Sequence, residues 1–172
     1  MDPRHPTDQR TGDDLAALEP LHVVLPLRTI SGGKARLGEA LDAEEREELV
    51  LGLLLETLAV LMAWPGGRRV HIVSPDPTVE ATLPISAAVP AGGAQVVVHR
   101  QPGEGLNEGL RLGIAAALED GASSVLVLPA DLPGLSIEAL DELMLAADAA
   151  LTAAAGGPLM AIAPSDARSG TN

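Results

Sequence analysis

Arg28, Lys34 and Arg36 stand within nine residues of one another, in Arg28-Thr29-Ile30-Ser31-Gly32-Gly33-Lys34-Ala35-Arg36-Leu37. Lys34 is the one lysine of a chain whose formal net charge is −13. A Gly-Gly turn lets backbone N–H groups approach a ligand, and nearby cations suit phosphate. The stretch is no Walker-type loop, because Ala35 rather than Ser or Thr follows the lysine. Two readings remain: an anion-binding loop, or a solvated turn whose cations balance nearby carboxylates. The clustering of scarce positive charge favours the anion.

A second candidate is Asp131, in Pro129-Ala130-Asp131-Leu132-Pro133. Magnesium commonly takes one or two protein carboxylates and completes its shell with substrate phosphate and water. The alternative is an Asp that caps a turn. Ser74-Pro75-Asp76 reads as a strand-to-turn transition or as part of the same site. Gly105-Leu106-Asn107 reads as a helix start or as a turn lining a nucleotide pocket. The histidines, His5, His22, His71 and His99, have no metal-ligand spacing and receive no role. Serine lacks any G-x-S-x-G setting, which argues against a nucleophilic hydrolase.

The elements that must position these residues alternate between strand and helix. A polar arm of about twenty residues, expected to be disordered, precedes a strand at 22–27. Asp42-Ala43-Glu44-Glu45 has capping-box spacing and opens a helix to about Ala63, with Leu49, Leu53, Leu54, Leu58 and Leu61 on its apolar face. Strands follow at 70–74 and 95–99, with a short helix and a Pro/Gly loop between them. A helix at 106–119 places Leu110, Ile114, Ala117 and Leu118 on one side. The apolar run 124–128 predicts a strand buried on both faces. Ser136 is placed to cap a helix to about Asp148, and 159–163 reads as a last strand. This order predicts an α/β fold with a mostly parallel sheet covered on both faces. Each candidate loop directly follows a strand, where such sheets bind ligands.

Composition narrows the function classes. The chain has 172 residues, no Cys, no Phe, no Tyr and one Trp. Disulfides, thiolate metal sites and cysteine nucleophiles are excluded. Base stacking on aromatics is almost absent, and the acidic charge repels a phosphate backbone, so nucleic acid is not expected as a partner. The polar start has no apolar core of a signal peptide, and the Leu-rich runs are too interrupted to span a membrane, so a cytoplasmic protein is expected. Leu-rich helix surface would permit a homodimer.

Taken in order, Leu25-Pro26-Leu27-Arg28, Gly33-Lys34-Ala35-Arg36-Leu37, Ser74-Pro75-Asp76, Arg100-Gln101-Pro102-Gly103 with Gly105-Leu106-Asn107, Leu128-Pro129-Ala130-Asp131-Leu132-Pro133 and Gly170-Thr171-Asn172 form one pattern. It resembles that of the 2-phospho-L-lactate or phosphoenolpyruvate guanylyltransferases of coenzyme F-420 biosynthesis. The resemblance implies a nucleotide-diphospho-sugar-transferase-like, Rossmann-like three-layer fold over residues 21–172, Mg²⁺ as cofactor, and GTP with a phosphorylated three-carbon acid as substrates. It implies that Lys34 and Arg36 hold the triphosphate, Asp131 the metal and Thr171 the acid, with Asn107 near the base. Pro26, Arg28, Gly32, Gly33, Ser74, Asp76, Gln101 and Gly105 complete the implied nucleotide site. The chain departs from the pattern at Arg28, where Lys is usual, and ahead of Gly170, where the family has an Asp-Arg pair after Pro164. It also stops at Asn172, where the family continues with further acidic residues. Two alternatives stand beside this reading: a related nucleotidyltransferase of the molybdenum-cofactor type, and an incomplete domain that binds nucleotide without turnover.

Overall fold

A computed structural model describes residues 18–30, 40–83, 94–103, 105–154 and 160. It contains four strands, β1 (Leu21–Pro26), β2 (Arg69–Ser74), β3 (Gln95–Arg100) and β4 (Ser124–Val127), and four helices, α1 (Ala43–Ala63), α2 (Thr78–Thr82), α3 (Leu106–Glu119) and α4 (Ile137–Ala153). The strands form one sheet in the order β3-β2-β1-β4, and every pairing is parallel. The expected α/β fold is therefore present. Apart from Met160, the expected strand at 159–163 lies outside the described residues, as does most of the N-terminal arm.

Alternation along the strands builds the layers, because successive side chains point to opposite faces. Val23, Leu25, Val70 and Ile72 face one side and share a cluster with Val50, Leu54, Leu58 and Leu61 of α1 and with Leu140 and Met144 of α4. Val24 and Val73 face the other side and pack with Ala117 and with Ala122 beyond α3. The fully buried Trp64 ends α1, and its indole Nε1–H donates to Asp141 Oδ1 of α4 at 2.8 Å. That bond lets the one large aromatic be buried without an orphaned donor.

Helix starts follow the local chemistry. Asp42 Oδ1 accepts from Glu45 N at 3.0 Å, and Asp42 N donates to Glu45 Oε2 at 2.8 Å, which completes the expected capping box. Ser136 Oγ accepts from Ala139 N at 3.2 Å and caps α4, which continues beyond the expected end to Ala153.

Three sequence expectations need correction. On α1 the buried position is Val50, whereas Leu49 is exposed. On α3 the buried face is Gly109, Gly113 and Ala117, and Leu118 is 53% exposed. The cause is proximity: a Cβ on Gly113 would stand 2.5 Å from Val24 Cγ1 and 2.8 Å from Val73 Cγ2. A leucine stripe cannot fit where the helix lies that close to the sheet. Third, β4 is not buried on both faces, and Val127 is 40% exposed. Among the described residues β4 pairs only with β1, so it is an edge of the described sheet, and Leu126 on one face and Val125 on the other are only partly buried. Among these residues no helix is long and apolar enough to cross a membrane.

Candidate active site

Because all four strands run in one direction, their carboxyl ends share one edge of the sheet. β1 is followed in sequence by its neighbour β2 on one side, but its other neighbour is β4. Strand order therefore reverses between β1 and β4, because α3, on the sheet face opposite α1, carries the chain from β3 back across to the far side of β1. Open parallel sheets form their ligand crevice at such a point. A cavity of about 370 Å³ lies there, lined by Pro26, Leu27, Arg28 and Thr29 after β1 and by Val127, Pro129, Ala130 and Asp131 after β4. Val50 of α1 and Leu106 and Leu110 of α3 complete its wall.

Backbone hydrogen bonds fix both loops. Leu27 N donates to Val73 O at 2.9 Å, and Leu128 N donates to Val24 O at 3.1 Å. The loop after β1 is also held by the turn after β2. Ser74 Oγ donates to Arg28 O at 3.3 Å and accepts from Asp76 N at 3.1 Å. Asp76 Oδ2 accepts from Ile30 N at 3.1 Å. Asp76 Oδ1 accepts from Thr78 N at 2.9 Å and Thr78 Oγ1 at 2.6 Å. Partial burial raises the pKa of this carboxyl, but the hydrogen bonds from Thr78 and Ile30 outweigh it and hold the group below its ordinary value. Both oxygens thus work inside the protein, tying the start of the cationic loop to β2.

The turn after β3 forms the third wall. Gln101 is buried; its N donates to Ser74 O at 2.8 Å and its Nε2 donates to Gly105 O at 3.0 Å. Gly105 adopts a φ of 115° and occupies the N-cap position of α3 without a side-chain cap. A side chain at that φ is strained, so glycine suits the turn. A Cβ on Gly109 would meet Gln101 Oε1 at 2.6 Å, so the bare first turns of α3 leave room for the glutamine. Asn107 is exposed on the first turn.

Of the sequence candidates, the cavity brings together Pro26, Arg28 and Asp131. Ser74, Asp76 and Gln101 stand behind that wall and fasten it, while Gly105 and Asn107 flank Leu106 at its margin. Gly32, Gly33, Lys34, Arg36 and Thr171 lie outside the described residues. Sequence reasoning missed the apolar lining of Val50, Leu106 and Leu110. These look like ordinary helix positions, and only the packing of both helices toward the switch point reveals them.

Asp131 is the oxygen donor in this cavity that fits Mg²⁺. It is half-buried, it lines the cavity, and one carboxylate is a common protein share for magnesium that also holds substrate phosphate. A second cluster, His22, His71 and Asp120, includes residues at the opposite end of β1 and offers two nitrogen donors, which magnesium does not prefer.

Fold and cavity together define a parallel α/β protein with a ligand crevice at its strand-order switch point. Over residues 51–169 the chain matches the MobA-like NTP transferase domain, and it belongs to that family. It is 44% identical over 152 residues to the phosphoenolpyruvate guanylyltransferase of Rubrobacter xylanophilus, covering 87% of this chain and 65% of that protein. It is 34% identical over 125 residues to the 3-phospho-D-glycerate guanylyltransferase of Phenylobacterium zucineum, covering 71% of this chain and 54% of that protein. The chain thus spans between about half and two thirds of the length of these relatives. The fold is similar to that of a putative nucleotide-diphospho-sugar transferase from Desulfovibrio desulfuricans G20, with a TM-score of 0.52 at 21% identity, over 73% of this chain and 53% of that one.

Proposed function

We propose that this protein is a guanylyltransferase that moves GMP from GTP to the phosphate of phosphoenolpyruvate or a similar phosphorylated three-carbon acid. The observation that carries the reading is the cavity at the switch point, where Arg28 and Asp131 come from loops on two neighbouring strands. The likeness to enzymes named for guanylyl transfer to phosphoenolpyruvate or 3-phospho-D-glycerate supports this choice of nucleotide and acceptor class. By the resemblance of the motifs, the step belongs to coenzyme F-420 biosynthesis.

The chemistry asks little acid–base work of the protein. A phosphate monoester has a second pKa near ~6, so the acceptor is mostly dianionic at neutral pH. One of its oxygens attacks the α-phosphorus of GTP. A new P–O bond forms, the bond to the β-phosphate bridge breaks, and pyrophosphate leaves with the electron pair. Alignment and charge neutralisation are then the protein's tasks. Lys34 and Arg36 are assigned to the triphosphate, with Pro26, Arg28, Gly32 and Gly33 along the same loop. Ser74, Asp76 and Gln101 hold that loop and its neighbour in place. Gly105 and Asn107 are assigned to the nucleoside end, and Thr171 to the acid. Mg²⁺ held by Asp131 would supply charge neutralisation at the phosphates.

The test is pyrophosphate release from GTP with Mg²⁺, measured with phosphoenolpyruvate, 2-phospho-L-lactate, 3-phospho-D-glycerate or no acceptor. Release that needs both GTP and one acid supports the reading and names the acceptor. A folded chain that releases none with any acid overturns it. The relative from Phenylobacterium favours including 3-phospho-D-glycerate as the second acceptor.

A further inference from the structure

Across the sheet face covered by α3, three histidines from three neighbouring strands form a continuous row. His22 of β1 and His71 of β2 stack with ring centroids 5.2 Å apart, and His71 and His99 of β3 repeat the same spacing. His22 Nδ1 lies 3.0 Å from His71 Nε2, and His71 Nδ1 lies 2.9 Å from His99 Nε2. His22 and His71 are 4% and 1% exposed. Asp120, at the C-cap of α3, brings its Oδ2 to 3.9 Å from His71 Nε2. The donor atoms of His22, His71 and Asp120 all lie within 4.8 Å of one another.

We propose that His22 Nδ1, His71 Nε2 and Asp120 Oδ2 form a binding site for Zn²⁺ or a similar transition-metal dication, separate from the nucleotide cavity. Two imidazoles and a carboxylate are a borderline donor set that suits zinc, cobalt or nickel rather than magnesium. Bonds of about 2.0–2.1 Å in tetrahedral geometry set two zinc-bound nitrogens about 3.3 Å apart. The present 3.0 Å spacing needs to open by only a few tenths of an ångström. Side-chain rotation of the partly exposed Asp120 closes the remaining gap.

The surroundings supply what such ligands require. A metal-bound imidazole usually donates its other N–H to an acceptor, which fixes its tautomer. His71 Nδ1 already faces His99 Nε2, so His99 serves as that acceptor. His22 then keeps its ring proton on Nε2, and binding asks for a tautomer change together with the small opening and turning of the two rings. Arg69 Nη1 engages the same oxygen, Asp120 Oδ2, so the carboxylate must turn to leave one oxygen on Arg69 and offer one to the metal, the arrangement in which outer partners commonly hold ligating carboxylates. Arg69 places positive charge beside the site, which tempers affinity without blocking the nitrogens.

The experiment uses the untagged full chain, stripped with chelator and titrated with Co²⁺ in excess Mg²⁺, added to fill the site proposed at Asp131. Visible absorption of bound Co²⁺ and dialysis stoichiometry are read together. One Co²⁺ per chain with nitrogen-type absorption is expected. Asp120→Asn, on a partly exposed side chain that leaves the fold intact, weakens binding tenfold or more, and His22→Asn does the same. His99→Gln weakens it about 10-fold, as outer-shell changes do. Asp131→Asn and His5→Ala leave it unchanged. Absence of stoichiometric Co²⁺ in a folded chain overturns the proposal. So does equal binding by the parent, His22→Asn and Asp120→Asn chains. None of these readouts depends on guanylyl transfer.

Discussion

Asp76 and Ile30 are 46 positions apart in the chain, yet the carboxylate of one accepts the backbone N–H of the other at 3.1 Å. This bond fixes the last described residue before Gly32-Gly33-Lys34. Asp76→Ala removes the acceptor for Ile30 N and the one acceptor that serves both donors of Thr78. Loss of a partner for such donors costs about 1–3 kcal/mol each where water cannot replace it, and less at the exposed Thr78. Urea unfolding should show a lower midpoint. The KM for GTP in the pyrophosphate assay should rise more than kcat falls, because the loop is loosened rather than the chemistry removed. Unchanged KM and stability would assign Asp76 no role in holding the loop.

Gly113 and Gly52 make an opposed pair. Ala at Gly113 drives a methyl into Val24 and Val73, and overpacking of this kind costs about 1–3 kcal/mol. Ala at Gly52, within α1, meets nothing within 4 Å, and the gain in helix propensity is about 0.5–1 kcal/mol. Thermal denaturation should therefore move the two variants in opposite directions. A stabilised Gly113→Ala would mean that α3 stands further from the sheet.

At Asp131 the expectation concerns rate and not stability. Asp131→Asn keeps the size of a half-buried side chain but removes the charge assigned to the metal. Pyrophosphate release should fall on the order of 10²-fold or more, as for loss of one preorganised electrostatic group. The unfolding midpoint should move by well under that of Gly113→Ala. A rate within a few-fold of the parent would remove Asp131 from the mechanism.

The histidine row also makes the metal-free chain sensitive to acid. Burial lowers the pKa of His71 to about 4, with His99 and His22 adding to the effect. Burial likewise lowers those of His22 and His99. In the unfolded chain these rings titrate near their ordinary value of about 6.5. Between that value and about 4 the unfolded state binds more protons than the folded one, so stability rises with pH across the window. Acidification from neutral pH should weaken the fold by up to about 1.4 kcal/mol per pH unit for each ring that stays neutral. His99→Gln should flatten the profile measured by urea titration at successive pH values. A flat profile in the parent chain would show that the rings are not held neutral.

Much of this was legible in the sequence. The four described strands are short apolar runs bounded by Pro, Gly or polar turns, and the caps at Asp42 and Ser136 follow from local chemistry alone. The loops at Pro26–Thr29 and Pro129–Asp131 could be singled out because each follows a strand. Their meeting in one cavity depends on β4 lying beside β1, which no local pattern encodes. The buried stripe of α3 is not legible because amphipathic periodicity points to leucine, whereas a helix pressed onto a sheet needs glycine. The histidine row has no local signature either. His22, His71 and His99 sit 49 and 28 positions apart, and only the parallel register brings them into one row.

The sheet order has a consequence for how the chain is made. Among the described strands β1 is synthesised first, yet it ends between β2 and β4. Leu21 has no partner on its second side until Ser124 has been made. Without a hairpin among the described strands, no neighbouring pair can close early, and non-local pairing of this kind folds slowly. A nascent chain therefore carries the fully apolar run Val23-Val24-Leu25 with one open edge until β4 has been made. Slow acquisition of protease resistance, completed only after β4 leaves the ribosome, is the cost of placing the oldest strand beside the youngest described one.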